Sequence, residues 1–96
     1  MDMKYDFQNF IEERKLQAVA NDLVERVRAR RKAQGLTQRR LSDRSGVSYS
    51  SLRRFETTGE ISLGSLLRLA QTLGCLEDFN AIFGRKAITD SKKLER

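Results

Sequence analysis

Histidine and proline are absent from this sequence, and cysteine occurs once, at Cys75. With no histidine and one thiol, the usual zinc constellations lack ligands and an intrachain disulfide lacks a second partner. Cys75 sits among Leu73, Gly74 and Leu76, a setting that suits a buried or half-buried small hydrophobe better than a reactive thiol. No run approaches the roughly 18 apolar residues that suggest a bilayer span, so no membrane partner is expected. The opening MDMKYDF has neither the basic start nor the apolar middle of a signal peptide, and a cytoplasmic location follows as the expectation. A glycine-rich phosphate loop and a paired carboxylate motif are also missing. Acid–base and nucleophilic chemistry therefore have no candidate residues, and neither an enzyme nor a cofactor is expected.

What is present is a chain of 96 residues, 39% apolar and 33% charged, the size and balance of one small helical domain. Its net charge of +6 is unevenly spread. Between Arg26 and Arg54 stand ten basic residues and one acid, Asp43, a net of +9, whereas the remainder carries nine basic and twelve acidic residues. A solvated helix face ordinarily intersperses both signs. Here the acids are missing where pairing would need them, which points to one basic face meeting a polyanion, nucleic acid.

With no proline, glycine does the punctuation. Gly35, Gly46, Gly59, Gly74 and Gly84 each follow an apolar-periodic run, as left-handed helix C-caps would. The spacing predicts a helix ending near Gln34 with Leu23, Val27 and Arg31 on one face. Upstream, Asp6 is a candidate cap for turns carrying Phe7, Phe10 and Ile11, and Leu16, Val19 and Leu23 continue a stripe. Pattern leaves open whether residues 6–34 make one helix or two. Thr37 is an N-cap for a helix over 38–45 with Leu41 inward, and Ser48 caps a helix over 49–57 with Leu52 and Phe55 inward. Ser62 caps another, with Leu63, Leu66, Leu67, Ala70 and Leu73 as its apolar stripe, and a last helix is expected over 76–83. The fold class is all-α, a bundle of about five short helices. The division expected is an N-terminal helical extension over 1–20, a core domain over 21–84 and a flexible polar tail over 85–96.

The segment SGVSYSSLRRFE can now be placed. A helix ending at glycine, a turn of about three residues and a second helix crossing it form a helix-turn-helix, whose second helix can lie in a DNA major groove. Leu41, Val47 and Leu52 must be apolar to hold the crossing, which leaves Tyr49, Ser50, Ser51, Arg53 and Arg54 facing outward. Short hydroxyls permit close approach to the groove, and an arginine can bond guanine in bidentate fashion. The run LTQRRLSDRSGVSYSSLRRFETTGEISLGSLLRLAQTLGCL resembles the Cro and phage-repressor (XRE) type of helix-turn-helix, over residues 21–83. From Phe55 onward, FETTGEISLGSLLRLAQTLGCLEDFNAIF is similar to the HipB-like antitoxins, which are encoded beside a HipA-type kinase toxin and repress their own operon.

The resemblance implies a lambda-repressor-like bundle and a sequence-specific repressor. It also implies roles for individual residues: Tyr49, Ser50 and Arg54 at base edges, and Gln38 on a phosphate while bracing the recognition helix. Ser51 and Arg53, with Thr37, Arg28 and Thr57, are the further phosphate candidates, and Arg31 and Glu56 form an ion pair tying that helix to the first. One recognition helix has a small footprint, so a homodimer on a two-fold double-stranded operator is expected. Leu76, Phe79, Ile82 and Phe83 offer the dimer surface, with Phe7, Phe10 and Ile11 as the rival surface. A HipA-like kinase toxin is the partner implied by the antitoxin resemblance, and the first 20 residues or the tail after Gly84 would be its binding element. The alternative is a stand-alone or prophage regulator with no toxin.

Overall fold

A computed structural model of the protein describes residues 7–86. The order is α1 (Phe7–Ala33), α2 (Gln38–Ser45), α3 (Tyr49–Thr58), α4 (Leu63–Leu73) and a closing 3-10 helix (Leu76–Ala81), with no strand among the described residues. The all-α class and the five-helix bundle expected from periodicity are the architecture found. The cap expected at Asp6 and the tail from residue 87 onward lie outside the described residues.

The question left open upstream has a plain answer: α1 is one helix of 27 residues, roughly 40 Å long at about 1.5 Å per residue. Between Phe7 and Ala33 the chain has neither glycine nor proline, so nothing interrupts the hydrogen-bond ladder. Its C-terminal half packs on the bundle through Val24, with Leu23 and Val27 beside it. Before Ala20 the helix meets the bundle through the Gln17 side-chain amide, which donates to the Thr58 carbonyl at 3.3 Å, while its large apolar side chains stay outside: Phe7 is 71% exposed, and Phe10, Leu16 and Val19 are exposed as well. The stripe expected through Leu16, Val19 and Leu23 therefore reaches the core only at Leu23.

Three N-caps set the next helices. Thr37, Ser48 and Ser62 each have extended backbone and accept through the side chain from the amide three residues on, those of Arg40, Ser51 and Ser65. Gly46 ends α2 at φ +81° and Gly59 ends α3 at φ +85°, a left-handed conformation that a side chain disfavours. Gly59 carries a second constraint, because a Cβ there would sit 3.0 Å from the Ala20 Cβ on α1. The core gathers Val24, Leu36, Leu41, Val47, Leu52, Phe55, Leu66, Leu69 and Leu73. Leu41, Leu52, Leu69 and Phe55 are its most enclosed members.

Two sequence expectations are corrected. On α4 the buried set is Leu66, Leu69, Ala70 and Leu73, a run at i, i+3, i+4 and i+7. Leu63, in the first turn, is exposed and Leu67 is half-buried; the wide stripe read from sequence was centred too far round the helix. The last element is a 3-10 helix ending at Ala81, not an α-helix over 76–83. Gly84 is accordingly no left-handed cap. The amide of Gly84 donates to the Ala81 carbonyl at 3.0 Å, and the left-handed position within that turn falls to Phe83, at φ +62°. With Ile82 at φ −68° and ψ 129°, this is a type II turn with Phe83 where glycine is usual.

Candidate nucleic-acid interface

The turn between α2 and α3 is held by hydroxyls. Ser42 Oγ donates to the Val47 carbonyl at 2.6 Å, the Val47 amide donates to Ser45 Oγ at 3.1 Å, and Ser48 Oγ donates to Ser51 Oγ at 2.9 Å. Val47 is buried between the helices, and beneath α3 Leu52 and Phe55 are almost wholly enclosed. Two inward residues three apart fix the rotation of a short helix. Ser50, Ser51, Arg53, Arg54 and Thr57 consequently face outward and are exposed.

Tyr49 differs from these in being half-buried. The Arg39 guanidinium lies over its ring at 3.9 Å from the centroid and that of Arg53 at 5.5 Å, within reach of cation–π attraction. The ring thus orders two arginines, one from α2 and one from α3. Sequence reading singled out Tyr49 and Arg53 but not Arg39 as its stacking partner.

The largest concentration of polar bonds lies behind this face, at Glu56. Arg31 and Glu56 are buried, 7% and 6% exposed. Arg31 Nε donates to Glu56 Oε2 and Arg31 Nη2 to Oε1, both at 2.9 Å, while Arg31 Nη1 donates to the Leu36 carbonyl at 2.9 Å. Two further side chains converge on the same carboxylate: Gln38 Nε2 donates to Oε1 at 2.9 Å, and Arg28 Nε approaches Oε1 at 3.4 Å. Arg28 also donates to the Glu56 carbonyl at 3.0 Å and pairs with Glu25 at 3.2 Å. Gln38, expected on a phosphate while bracing the recognition helix, and Arg28, expected on a phosphate, both bond Glu56 at the end of α3; Thr37 remains exposed beside them as the cap of α2.

Burial by itself would raise the Glu56 carboxyl. Hydrogen bonds from Arg31, Gln38 and Arg28, with the Arg31 charge, outweigh it and hold the group below the ordinary carboxylate value. A carboxyl depressed in the fold adds stability above its unfolded value, and that stability is lost as pH falls through the folded value. Urea midpoints should therefore be level near neutral pH and begin to drop below about pH 4.3, the usual glutamate value. Glu56→Gln is expected to flatten that acid limb; an unchanged limb in the variant would assign it to other carboxylates.

On the outer face, Arg54 Nη2 donates to Glu60 Oε1, just beyond the Gly59 cap. Sequence reading passed over Glu60, whose only signal was an acid beside a basic helix. Of the expected dimer residues, Leu76 and Ile82 are exposed and Phe83 is fully exposed in the type II turn, whereas Phe79 is half-buried against the core. No grouping of His, Cys, Asp and Glu suited to a metal occurs among the described residues, and no helix there is long and apolar enough to cross a membrane.

A family model described as Helix-turn-helix matches residues 27–79, which takes in the last turns of α1 from Val27, the whole of α2, α3 and α4 and part of the 3-10 helix. The projecting half of α1 lies outside that match. No curated protein and no solved structure matches the chain. With the match spanning more than half of the sequence, the chain belongs to the helix-turn-helix family and is a DNA-binding transcription regulator of the XRE type.

Proposed function

We propose that this regulator is a homodimeric repressor that sets α3 into the major groove of each half of a two-fold operator and blocks a promoter by occupying it. The observation that carries this reading is the outward row of Ser50, Ser51, Arg53 and Arg54 above the buried Leu52 and Phe55. Tyr49, Ser50 and Arg54 are assigned to base edges, and Thr37, Ser51, Arg53 and Thr57 to phosphates. Leu76, Ile82 and Phe83 are the dimer surface in this reading. Its support is that a phenylalanine held at positive φ with its ring fully in water is costly unless a partner covers it.

Selection of bound duplexes from random DNA tests the assignment. The enriched sequences should show two symmetric half-sites about 34 to 36 Å apart, one helical turn. Arg54→Gln should weaken the preference at one base pair in each half by about 1 to 3 kcal/mol. A pool with no enriched sequence, or an Arg54→Gln pool identical to the parent's, overturns the reading.

A second reading makes the protein the antitoxin of a HipA-like kinase. It is favoured by the exposed Phe7 and Phe10, whose rings stack at 6.3 Å with the Arg14 guanidinium 5.6 Å from Phe10, on the part of α1 outside the family match. A partner-binding element is the natural use of an aromatic face that the protein's own core leaves uncovered. Recovery of a kinase-fold protein with the full chain, and its loss on Phe10→Glu, would support this role. Purification without such a partner would leave the stand-alone regulator.

A further inference from the structure

We propose that Glu60 is a positioning residue for sequence readout, holding Arg54 so that it bonds a base edge and not the nearby phosphates. The inference rests on the reading above, in which Arg54 reaches a base.

The geometry is specific about how the two residues are joined. Thr58 Oγ1 donates to the Arg54 carbonyl at 2.8 Å and accepts from the Glu60 amide at 3.1 Å. The Gly59 amide closes α3 onto the Phe55 carbonyl at 2.8 Å. The backbone of Glu60 is thus anchored, through one hydroxyl, to the residue its side chain meets. Among the described residues Glu60 is the one acceptor of the Arg54 side chain, and it engages Nη2 alone. A guanidinium carries five N–H donors, two of them on Nη2, so one Nη2 hydrogen can stay on the carboxylate while the other, with the adjacent N–H of Nε or Nη1, forms the fork that meets the O6 and N7 of a guanine. Both side chains line an open cleft between α3 and the start of α4, together with Ser51, Ser62 and Ser65.

Two consequences follow for DNA. Anchored at one nitrogen, the guanidinium has less rotamer freedom to lose when it meets a base. The pair as a whole is neutral, and its carboxylate repels the phosphate backbone, so Arg54 adds little to binding at unrelated sequences. Either effect raises the ratio of specific to non-specific affinity. Stability is a poor rival explanation, because the side chains are 66% and 64% exposed and such pairs hold folds together weakly.

The test uses the full chain, a duplex enriched by selection from random DNA, and a scrambled duplex of the same length. Glu60→Gln should lower the affinity ratio of the two duplexes by about fivefold or more, part of what a bidentate arginine contact discriminates. The loss should appear as relaxed preference at the same base pair that Arg54→Gln relaxes. On the scrambled duplex the variant should bind more tightly, with a salt slope steeper by about 1.8, one more phosphate for each protomer. In an Arg54→Gln background, Glu60→Gln should leave the ratio unchanged, and thermal stability should stay at the parent value throughout. Equal tightening on both duplexes in both backgrounds, or relaxation at a different base pair, overturns the inference about Glu60 while Arg54 keeps its role. If Arg54→Gln relaxes nothing, or if selection enriches nothing, Arg54 is not a reader and both readings fall together.

Discussion

Glu56→Ala should lower the unfolding free energy by about 3 to 5 kcal/mol, the range for breaking one side of a buried ion pair. An exposed pair such as Arg54 with Glu60 is worth only about 0 to 1 kcal/mol, and the difference comes from what is left behind. Without the carboxylate, the Arg31 guanidinium remains enclosed with Nε and Nη2 unpaired and only Nη1 satisfied, by Leu36. Gln38 and Arg28 lose their partner on Oε1 at the same time. Chemical denaturation of the parent and the variant decides the matter, and a loss under 1 kcal/mol would show that the four side chains are held by packing alone. The double change Arg31→Met with Glu56→Leu separates charge from shape. Replacing a buried pair by apolar groups of similar volume is often neutral or stabilising, so most of the lost stability should return. DNA binding should not return with it, because Gln38 and Arg28 then have no carboxylate to tie the end of α3 to α1 and α2.

That junction shows which parts of the molecule could be read in advance. Thr37, Ser48 and Ser62 were legible because a cap is a bond over three residues, to Arg40, Ser51 and Ser65, and needs no knowledge of the rest of the fold. The same holds for Leu41, Val47, Leu52 and Phe55, whose spacing on two short helices and the turn between them leaves one way to bury all four. The convergence on Glu56 is different in kind. Gln38 and Arg28 stand 18 and 28 residues away in sequence, and both are polar residues that could as well face water or a phosphate. Choosing between Leu67 and Leu69 on α4 likewise depends on the neighbouring helices, since each fits a helical apolar stripe. Local pattern could not tell one α1 from two, because helix-forming residues continue across any boundary placed near residue 20. At the other end, the 3-10 geometry of Leu76–Ala81 and the left-handed Phe83 break the rule that glycine takes such positions, so composition pointed to Gly84 instead.

The same pairing pattern decides how strongly salt should weaken DNA binding. Ten basic residues between Arg26 and Arg54 suggest a large electrostatic term, but three of them already face carboxylates: Arg28 and Arg31 at Glu56, and Arg54 at Glu60. On α2 and α3, Arg39, Arg40, Arg44 and Arg53 have no carboxylate within ion-pair distance among the described residues. About three phosphates neutralised by each protomer of a dimer make roughly six, for a slope of about −5 in log affinity against log salt and a loss near a thousandfold between about 50 and 200 mM. Binding to the selected duplex measured across that range tests the number, and single variants test its origin. Arg53→Gln should flatten the slope by about 2, the share of one phosphate from each protomer. Arg28→Gln should leave it unchanged, because the guanidinium stays with Glu56 and Glu25. A slope near zero in the parent would remove the phosphate contacts from the account, and a flattened slope in Arg28→Gln would mean that DNA draws this arginine out of the junction behind α3.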